Sequence, residues 1–168
     1  MKVRVKKIAE DVILPQYETP GAAGFDFHAY IKEPYVLKVN KRYAVPTGLI
    51  FEIPEGYELQ IRARSGLAAR NGITMMNGVG TIDSDYRGEV HVLLTNRGEE
   101  DFVIEPGMRI AQGLFERVDQ AEFELTDEEF SETKRGKKGF GSTGVSEKQK
   151  RVRRPVFLWP VLVAWLVW

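Results

Sequence analysis

Apolar and polar residues alternate along much of the chain, a period of two that favours half-buried β-strands. The alternation is clearest in residues 3–6, 57–64 and 121–125. Residues 65–72 begin with a capping-type serine and end in Asn-Gly, and they predict a single turn of helix. Turn signals recur about every ten residues, a spacing typical of an all-β barrel or sandwich. They are Pro20-Gly21, Pro54-Glu-Gly56, Asn71-Gly72, Asn96-Arg-Gly98 and Pro106-Gly107.

Charge divides the chain into two unlike parts, although the net charge of its 168 residues is zero at neutral pH. All acidic residues lie at or before Glu147, and five basic residues follow it, so the preceding part carries 24 acidic and 19 basic side chains and a net charge of −5. A mildly acidic body argues against a general nucleic-acid surface, and phosphate recognition is expected to be local. The absence of cysteine excludes disulfides, thiolate metal sites and cysteine nucleophiles. Residues 1–7 alternate like a strand edge and do not resemble a signal peptide.

The segment with the most chemical information is residues 76–89, Met-Asn-Gly-Val-Gly-Thr-Ile-Asp-Ser-Asp-Tyr-Arg-Gly-Glu. It predicts a glycine-punctuated hairpin whose backbone can approach a ligand closely. Asp83 and Tyr86 lie beside the turn, where a carboxylate and a phenol can grip and attack a flat, anionic substrate. From the residues alone, a turn-stabilising role for Asp83 or Asp85 and a cross-strand aromatic pair for Tyr86 stay open.

Residues 131–144 are polar and rich in glycine, with Phe140 as their only aromatic side chain. The composition favours a flexible linker. A single aromatic downstream of Arg135 and beside Ser142 and Thr143 also suits a mobile arm that closes over a base and its phosphates. Both interpretations remain open at this stage.

The last 14 residues, 155–168, are wholly apolar and contain every tryptophan of the chain. They are shorter than the roughly 20 residues of a membrane-spanning helix, and Pro160 interrupts them. A basic cluster precedes them, which suits an anionic membrane surface. An extension without a role, contact with a membrane and packing between subunits are the three interpretations of this tail.

Five motifs occur in an order that resembles the trimeric deoxyuridine triphosphatase (dUTPase) family, which hydrolyses dUTP to dUMP and pyrophosphate. They cover residues 1–144 together, and no one of them alone would be specific. The motifs are Ala23-Gly-Phe-Asp-Phe-His-Ala29, Arg64-Ser-Gly-Leu-Ala68, Gly78-Val-Gly-Thr-Ile-Asp-Ser-Asp-Tyr-Arg-Gly88, Pro106-Gly-Met-Arg-Ile-Ala-Gln112 and Arg135-Gly-Lys-Lys-Gly-Phe-Gly-Ser-Thr-Gly144.

The resemblance implies an all-β fold, a distorted jelly-roll-like β-barrel of the β-clip type with one short helix and an extended C-terminal arm. The barrel core is expected over residues 1–130 and the arm that closes the active site over 131–145, while residues 146–168 lie outside the family pattern. The implied partners are dUTP and two further copies of the chain, because in this family the arm crosses to a neighbour and each site is built from three chains. A cytoplasmic location is expected from the lack of a recognisable N-terminal signal and from the nature of the implied substrate.

The resemblance further assigns roles to individual residues. Asp83 is implied to activate the water that attacks the α-phosphorus, Gln112 to orient that water or donate to the α-phosphate, and Arg135 to reach the γ-phosphate. Tyr86 is expected beneath the deoxyribose, where it would exclude a 2′-hydroxyl. The implied substrate-binding residues are Arg64, Ser65, Gly66, Asn77, Gly80, Thr81, Ile82, Asp83, Tyr86, Phe140, Gly141, Ser142 and Thr143.

Mg2+ is the implied cofactor, held mainly by the substrate's phosphates, with Asp26 acting on it through water. Neither His28 nor His91 has a partner at metal-ligand spacing, and both are expected to be structural.

Two rival functions are considered. dCTP deaminase resembles this fold but carries its general acid/base glutamate on the strand after the third motif, where residues 90–96 offer no carboxylate. A trimeric scaffold that binds dUTP without turnover is the second rival, and an Asp83→Asn variant would separate it from an enzyme.

Overall fold

Eleven strands and one helix make up the regular structure of residues 1–139, which are the residues that this computed structural model describes. The strands are β1 (Arg4–Lys7), β2 (Phe25–His28), β3 (Tyr35–Leu37), β4 (Arg42–Pro46), β5 (Leu49–Glu52), β6 (Tyr57–Ala63), β7 (Ile73–Met75), β8 (Gly80–Ile82), β9 (His91–Asn96), β10 (Phe102–Ile104) and β11 (Arg109–Arg117). The helix is α1 (Ser65–Asn71). The end of the predicted arm from Phe140 onward and the tail at 146–168 lie outside the described residues.

The strands pair into four small antiparallel sheets. The largest has the order β2-β11-β6-β8 and a second has the order β4-β9-β7, while β1 pairs with β5 and β3 with β10. The mostly-β architecture with one short helix confirms the predicted fold class. Pairing between strands distant in sequence brings the first, third and fourth motifs into the same sheet, and the second motif begins directly after β6 of that sheet.

The core of the four-stranded sheet is aromatic. Phe25 lies between Phe27, Phe51 and Phe115, with ring centroids 5.3 to 6.4 Å apart. Gly113 on β11 leaves the space these rings occupy, because a Cβ there would lie 2.6 Å from Phe25 and 2.7 Å from Phe27. The opposite face of the sheet is therefore the one left for polar side chains.

Two compact units divide the chain, Met1–Glu122 and the residues from Phe123 onward. Every strand and the helix that the structure describes within residues 1–139 belong to the first unit. Within the second, residues 123–139 contain a turn in which the Gly136 N–H donates to the carbonyl and hydroxyl oxygens of Thr133, at 3.1 and 3.0 Å.

Three local predictions need correction. Residues 121–125 form no strand, and the side chains of Phe123 and Leu125 are 96% and 98% exposed. An alternating segment becomes a half-buried strand only when a partner edge is available, and no described strand supplies one. The helix is also longer than one turn, and Ser65 is its first residue, since the cap position belongs to Arg64, which makes no side-chain capping bond.

The third correction concerns residues 76–79, which connect two sheets and do not form a hairpin. β7 pairs with β9, whereas β8 pairs with β6. Gly78 has a φ of 72°, and its N–H donates to the Met75 carbonyl at 3.3 Å, so the chain turns sharply here. The predicted turn chemistry is present, but it carries the chain from one sheet to the next.

Candidate active site

The outer face of the four-stranded sheet brings Asp26 and Gln112 side by side. Gln112 on β11 lies opposite Asp26 on β2 and opposite Arg62 on β6. Phe25 and Phe27 point into the core, so Asp26 between them faces outward. The residue is nevertheless only 5% exposed, whereas Gln112 is exposed. The result is a buried carboxylate beside an accessible amide.

Two guanidinium groups hold the Asp26 carboxylate. Arg64 Nε lies 3.2 Å from Oδ1, and Arg109 Nη1 lies 3.5 Å from Oδ2. Arg64 Nη1 also donates to the Arg109 main-chain carbonyl at 3.0 Å. The same Arg109 Nη1 also lies 3.6 Å from the exposed carboxylate of Glu18. This network fixes Arg64 at the start of α1, with part of its guanidinium still accessible.

Burial lowers the pKa of the neighbouring His28 imidazole below its usual value. Asp26 and Glu18 oppose this shift, while Arg109 and Arg64 reinforce it. The Nδ1 atom of His28 is buried without a hydrogen-bond partner in the described structure. A neutral imidazole at neutral pH agrees with a structural His28, which adds no charge to the cluster.

Ser65 and Gly66 form the first turn of α1, directly after Arg64. The first N–H groups of a helix have no intrahelical acceptor, so this turn presents free donors next to the Arg64 guanidinium. Gly66 lies against the end of the Arg70 side chain, because a Cβ there would be 2.9 Å from Arg70 Nη2. These three predicted substrate-binding residues, Arg64, Ser65 and Gly66, are thus brought together with Asp26.

A second group of predicted site residues surrounds β8. Asn77 and Thr81 are exposed, Ile82 is half-buried and Gly80 is buried. The Asn77 side chain folds over Gly80, where a Cβ would lie 3.2 Å from Asn77 Nδ2 and 3.3 Å from Ile61. Gly80 therefore allows a close approach of the protein's own atoms.

Tyr86 is fixed on the turn that follows. Its N–H donates to the Asp83 carbonyl at 3.2 Å, and its hydroxyl donates to the Glu89 carbonyl at 3.0 Å. The ring covers Gly88, since a Cβ there would lie 2.3 Å from the hydroxyl oxygen. The ring is 44% exposed, so a flat aromatic surface faces outward beside Asp83.

The surroundings of Asp83 are acidic. Asp83 and Asp85 open onto a groove of ≈ 800 Å³, whose lining among residues 1–139 contains five carboxylates and one guanidinium, that of Arg87. That guanidinium donates to the carbonyls of Ser84 and Tyr86, at 2.6 and 2.9 Å. A triphosphate beside Asp83 therefore needs cations from another part of the molecule or from another copy.

The two groups of residues lie at opposite corners of one sheet. Ile82 is opposite Leu59 on β6, while Asp26 is level with Arg62, and β8 and β2 are the two outer strands of the sheet. The residues around Asp26 and those around Asp83 are separated by three strand spacings across the sheet and by several residues along the strands. This corresponds to a distance on the order of 20 Å. The structure thus brings Asp26, Arg64 and Gln112 together, and Asn77, Asp83 and Tyr86 together, but does not join the two groups within one chain.

Arg135 belongs to the second compact unit. Its Nε donates to the Lys138 carbonyl at 3.1 Å within a local turn, and the side chain is exposed. The other predicted arm residues, Phe140, Gly141, Ser142 and Thr143, lie outside the described residues.

Comparison with known families decides the identity of the chain. The family model for dUTPase matches residues 10–144. The chain belongs to the dUTPase family. It is a dUTP-hydrolysing enzyme, as the resemblance of its five motifs implied.

Curated relatives agree with this assignment. The deoxyuridine 5′-triphosphate nucleotidohydrolase of Chlamydia pneumoniae is 57% identical over 133 residues, which are 79% of this chain and 92% of that protein. The same enzyme of Rhizobium johnstonii is 60% identical over 139 residues, 81% of this chain and 88% of that protein. Both alignments span most of the relative's length, so the dUTPase likeness extends across a whole enzyme.

Solved dUTPase structures share the fold. A Staphylococcus bacteriophage 80alpha dUTPase with dUpNHpp covers 86% of this chain and 99% of its own, with a TM-score of 0.77 and 25% identity. A mutant dUTPase from phage phi11 of S. aureus, whose structure reveals the coordination of a structural Mg(II) ion, has a TM-score of 0.68 at 21% identity, over 76% of this chain and 98% of that one. At this identity the phi11 enzyme supports the fold alone.

Within residues 1–139 of this dUTPase, no helix combines the length and the apolar character that a membrane crossing requires. Sequence reasoning missed Arg109, although it lies inside the fourth motif. Arg109 lies three positions before Gln112 in the sequence. Regular alternation along a strand would place the two side chains on opposite faces, so the sequence pattern did not indicate that Arg109 belongs to the site.

Proposed function

We propose that this dUTPase cleaves the bond between the α- and β-phosphates of dUTP, using a water that Asp83 deprotonates. The water oxygen bonds to the α-phosphorus, the bond to the bridging oxygen breaks, and pyrophosphate leaves with its electron pair. dUMP is the second product. Asp83 suits this role because its carboxylate is exposed beside the aromatic surface of Tyr86.

The observation that carries the proposal is the separation of the two groups of site residues at opposite corners of one sheet. A nucleotide cannot contact both groups of one chain while its α-phosphorus lies beside Asp83. A homotrimer in which each site takes one group from each of two chains, and the arm from a third, removes this difficulty. It also supplies cations to the acidic surroundings of Asp83.

The phosphate half of the site comprises Arg64, Ser65, Gly66 and Gln112. Arg64 contributes a guanidinium that Asp26 and a main-chain carbonyl hold in one orientation. Such a pre-oriented fork suits a phosphate, because it presents parallel N–H donors without reorganisation. Gln112 is exposed beside Asp26 and is available to orient the water or donate to the α-phosphate.

The uracil and sugar half comprises Asn77, the backbone of 80–82 and Tyr86. Fixed backbone donors and acceptors favour uracil over cytosine, because cytosine would leave buried polar groups unpaired. Tyr86 lies beneath the deoxyribose in this arrangement and leaves no room for a 2′-hydroxyl. The hydrogen bond from its hydroxyl to Glu89 supports this role, since it prevents the ring from moving aside.

The residues around Asp26 fit a Mg2+ ion that is contacted through water. Oδ1 of Asp26 is buried and has no hydrogen-bond partner among residues 1–139, although Arg64 Nε is nearby, so a lone pair of this oxygen remains for a donor such as water. No three His, Cys, Asp or Glu side chains of residues 1–139 gather into a metal site. In this proposal the phosphates of the substrate hold the ion. When bound, Mg2+ would neutralise phosphate charge.

The arm completes the site in this proposal. Arg135 would reach the γ-phosphate, Phe140 would stack on uracil, and Gly141, Ser142 and Thr143 would add hydrogen bonds to the nucleotide. Arg135 is exposed and its Nη donors make no hydrogen bond within residues 1–139, which leaves them available for an anion. Stacking by one aromatic contributes about 1–3 kcal/mol in comparable single-base contacts.

The direct test is incubation of the protein and Mg2+ with dUTP, dCTP, dTTP or UTP in parallel, with detection of pyrophosphate and of the nucleoside product. Pyrophosphate and dUMP from dUTP alone are the expected outcome. Deoxyuridine products from dCTP would indicate a deaminase, and binding of dUTP without turnover would indicate the scaffold function.

Subunit complementation tests the shared site. Asp83→Asn and Arg64→Met each disable one half, so each variant alone is expected to be inactive. After the two are mixed, unfolded and refolded together, random assembly should restore about a quarter of the wild-type rate, since that fraction of sites receives both intact halves from different chains. A mixture that stays inactive would place the whole site within one chain.

A further inference from the structure

Arg109 contacts Asp26, the carboxylate that holds Arg64 of the phosphate half, yet the proposed reaction gives the Arg109 side chain no part. Its Nη1 lies 3.5 Å from Asp26 Oδ2, while Arg64 Nε lies 3.2 Å from Oδ1. The two guanidiniums therefore hold the carboxylate from both sides. Asp26 cannot turn toward one of them without losing the other.

A β-bulge places Arg109 on this face. Regular alternation would put Arg109 and Gln112 on opposite faces of β11, because they are three positions apart. The register instead pairs Gln112 with Asp26 and Arg109 with His28, with an irregularity between Arg109 and Ala111. Ile110 and Ala111 are accordingly both buried. A bulge that redirects a side chain in this way is common beside active sites.

The net charge of the cluster also favours a role for Arg109 in binding the triphosphate. Arg64, Arg109 and Asp26 together carry a net charge of +1, and removal of Arg109 would leave a neutral pair. A neutral pair attracts a triphosphate much less than a cluster with a free positive charge. Glu18 also lies near Arg109, but its side chain is 63% exposed, and an exposed ion pair contributes little.

We propose that Arg109 is a positioning residue for dUTP hydrolysis: it fixes the Asp26 carboxylate opposite Arg64 and leaves Arg64 oriented and charged toward the triphosphate. The inference rests on the proposed function of the phosphate half. Arg109 acts through Asp26 and Arg64, so its loss should change nucleotide affinity and the requirement for Mg2+ without unfolding the protein.

The test compares Arg109→Met, Arg109→Lys and, as a matched control, Arg117→Met. Arg117 ends the same strand, is exposed and takes part in no ion pair among residues 1–139. Three quantities are measured on each full-length protein: the Kd for the imido analogue dUpNHpp with Mg2+, the Mg2+ concentration for half-maximal hydrolysis, and the Tm.

Arg109→Met is expected to raise the Kd for the analogue by about 10- to 100-fold, as for loss of a charged hydrogen-bonding group, and to raise the Mg2+ requirement. Arg109→Lys keeps the charge but lacks the planar guanidinium, and it should raise the Kd for the analogue by about 3- to 10-fold. Arg117→Met should match the wild type. An Arg109→Met protein with wild-type Kd and Mg2+ requirement would overturn the inference, whether its Tm is lowered or not.

Glu18→Gln distinguishes positioning of Asp26 from anchoring of the loop that carries Glu18. This variant removes the Arg109–Glu18 ion pair and leaves the contacts of Arg109 and Arg64 with Asp26 in place. Its Kd and Mg2+ requirement should stay within about twofold of the wild type. If Glu18→Gln reproduces the Arg109→Met defect, Arg109 acts on the loop and the inference fails. A wild-type protein that releases no pyrophosphate from dUTP would instead refute the proposed function itself.

Discussion

Asp83 and Asp85 form a natural matched pair, because they lie two positions apart in one turn and both side chains are exposed. Only Asp83 is adjacent to β8, and its carbonyl accepts the N–H of Tyr86. This main-chain hydrogen bond holds Asp83 and Tyr86, the proposed general base and the residue proposed to lie beneath the sugar, in one turn. The amide of asparagine preserves the shape of the side chain at either position but cannot take a proton from water.

Asp83→Asn should lower kcat by about 10²- to 10⁴-fold, the usual contribution of a general base, while the Kd for dUpNHpp changes little. Single-turnover hydrolysis and calorimetric titration measure the two quantities. Asp85→Asn is the control and should retain most of the turnover. If the two variants behave in the opposite way, Asp85 is the base.

Tyr86→Ala should weaken the discrimination between dUTP and UTP by about 10- to 100-fold, because the ring that blocks the 2′-hydroxyl is removed. The ratio of kcat/KM values for the two nucleotides is the measurement. Tyr86→Phe keeps the ring and loses only the hydrogen bond to Glu89, so its discrimination should stay close to that of the wild type. Equal discrimination in all three proteins would exclude a steric role for Tyr86.

Among the elements, β11 carries both the core contact and the site. Gly113 faces the aromatic core, and its neighbour Gln112 faces the site. Gly113→Ala would force a Cβ against the rings of Phe25 and Phe27, and such overpacking should lower the free energy of unfolding by about 1–3 kcal/mol.

Denaturant unfolding monitored by fluorescence measures this difference. Gly21→Ala serves as its control, because a Cβ there has no neighbour within 4 Å, and its midpoint should equal that of the wild type. A wild-type midpoint for Gly113→Ala would show that the rings can move apart at no cost.

The elements also show which parts of the fold the sequence predicts. Residues 57–64 were predicted as a strand and form β6, because Leu59 and Ile61 alternate with polar residues against a core. Residues 121–125 have the same pattern and form no strand. Periodicity indicates which face of a segment is apolar but does not indicate a neighbouring strand for it to pair with. The strand prediction for residues 121–125 was wrong because no strand among the described residues pairs with them.

The site was predicted unevenly for a similar reason. The resemblance of the motifs identified Asp26, Arg64 and Gln112, which the structure does bring together. It did not identify Arg109, because a bulge changes the face of every residue beyond it and its mark on the hydrophobic pattern is only one pair of consecutive apolar residues, Ile110 and Ala111. The position of Asp83 relative to that cluster also depends on strand order, which a single sequence does not contain.

At the scale of the whole molecule, Phe123 and Leu125 are large apolar side chains almost fully in solvent. Such exposure is unusual for a monomer and is typical of a surface that a partner covers. In the proposed homotrimer these side chains would be covered by a neighbouring copy. Because they are exposed, replacing them should leave the fold of residues 1–122 unaffected.

The double variant Phe123→Asp, Leu125→Asp should therefore assemble less well and lose dUTP hydrolysis at low protein concentration, with the Tm of its folded unit changed little. Light scattering after gel filtration and a dilution series of activity provide the measurements. Glu124→Gln changes the polar position between them and should leave the assembly intact. An unchanged oligomer in the double variant would show that this segment does not hold the copies together.

The hydrogen bond from Arg64 to the carbonyl of residue 109 has a consequence for genetics. Every amino acid supplies a carbonyl, so no substitution at position 109 removes this acceptor, and a scan of point mutations would not detect it. Its position is set by the extra residue of the bulge. Deletion of Ile110, which restores regular pairing, is the change that moves it. Single substitutions at position 109 should therefore leave this main-chain hydrogen bond in place, whereas the gain or loss of one codon in the bulge should remove it and with it the function.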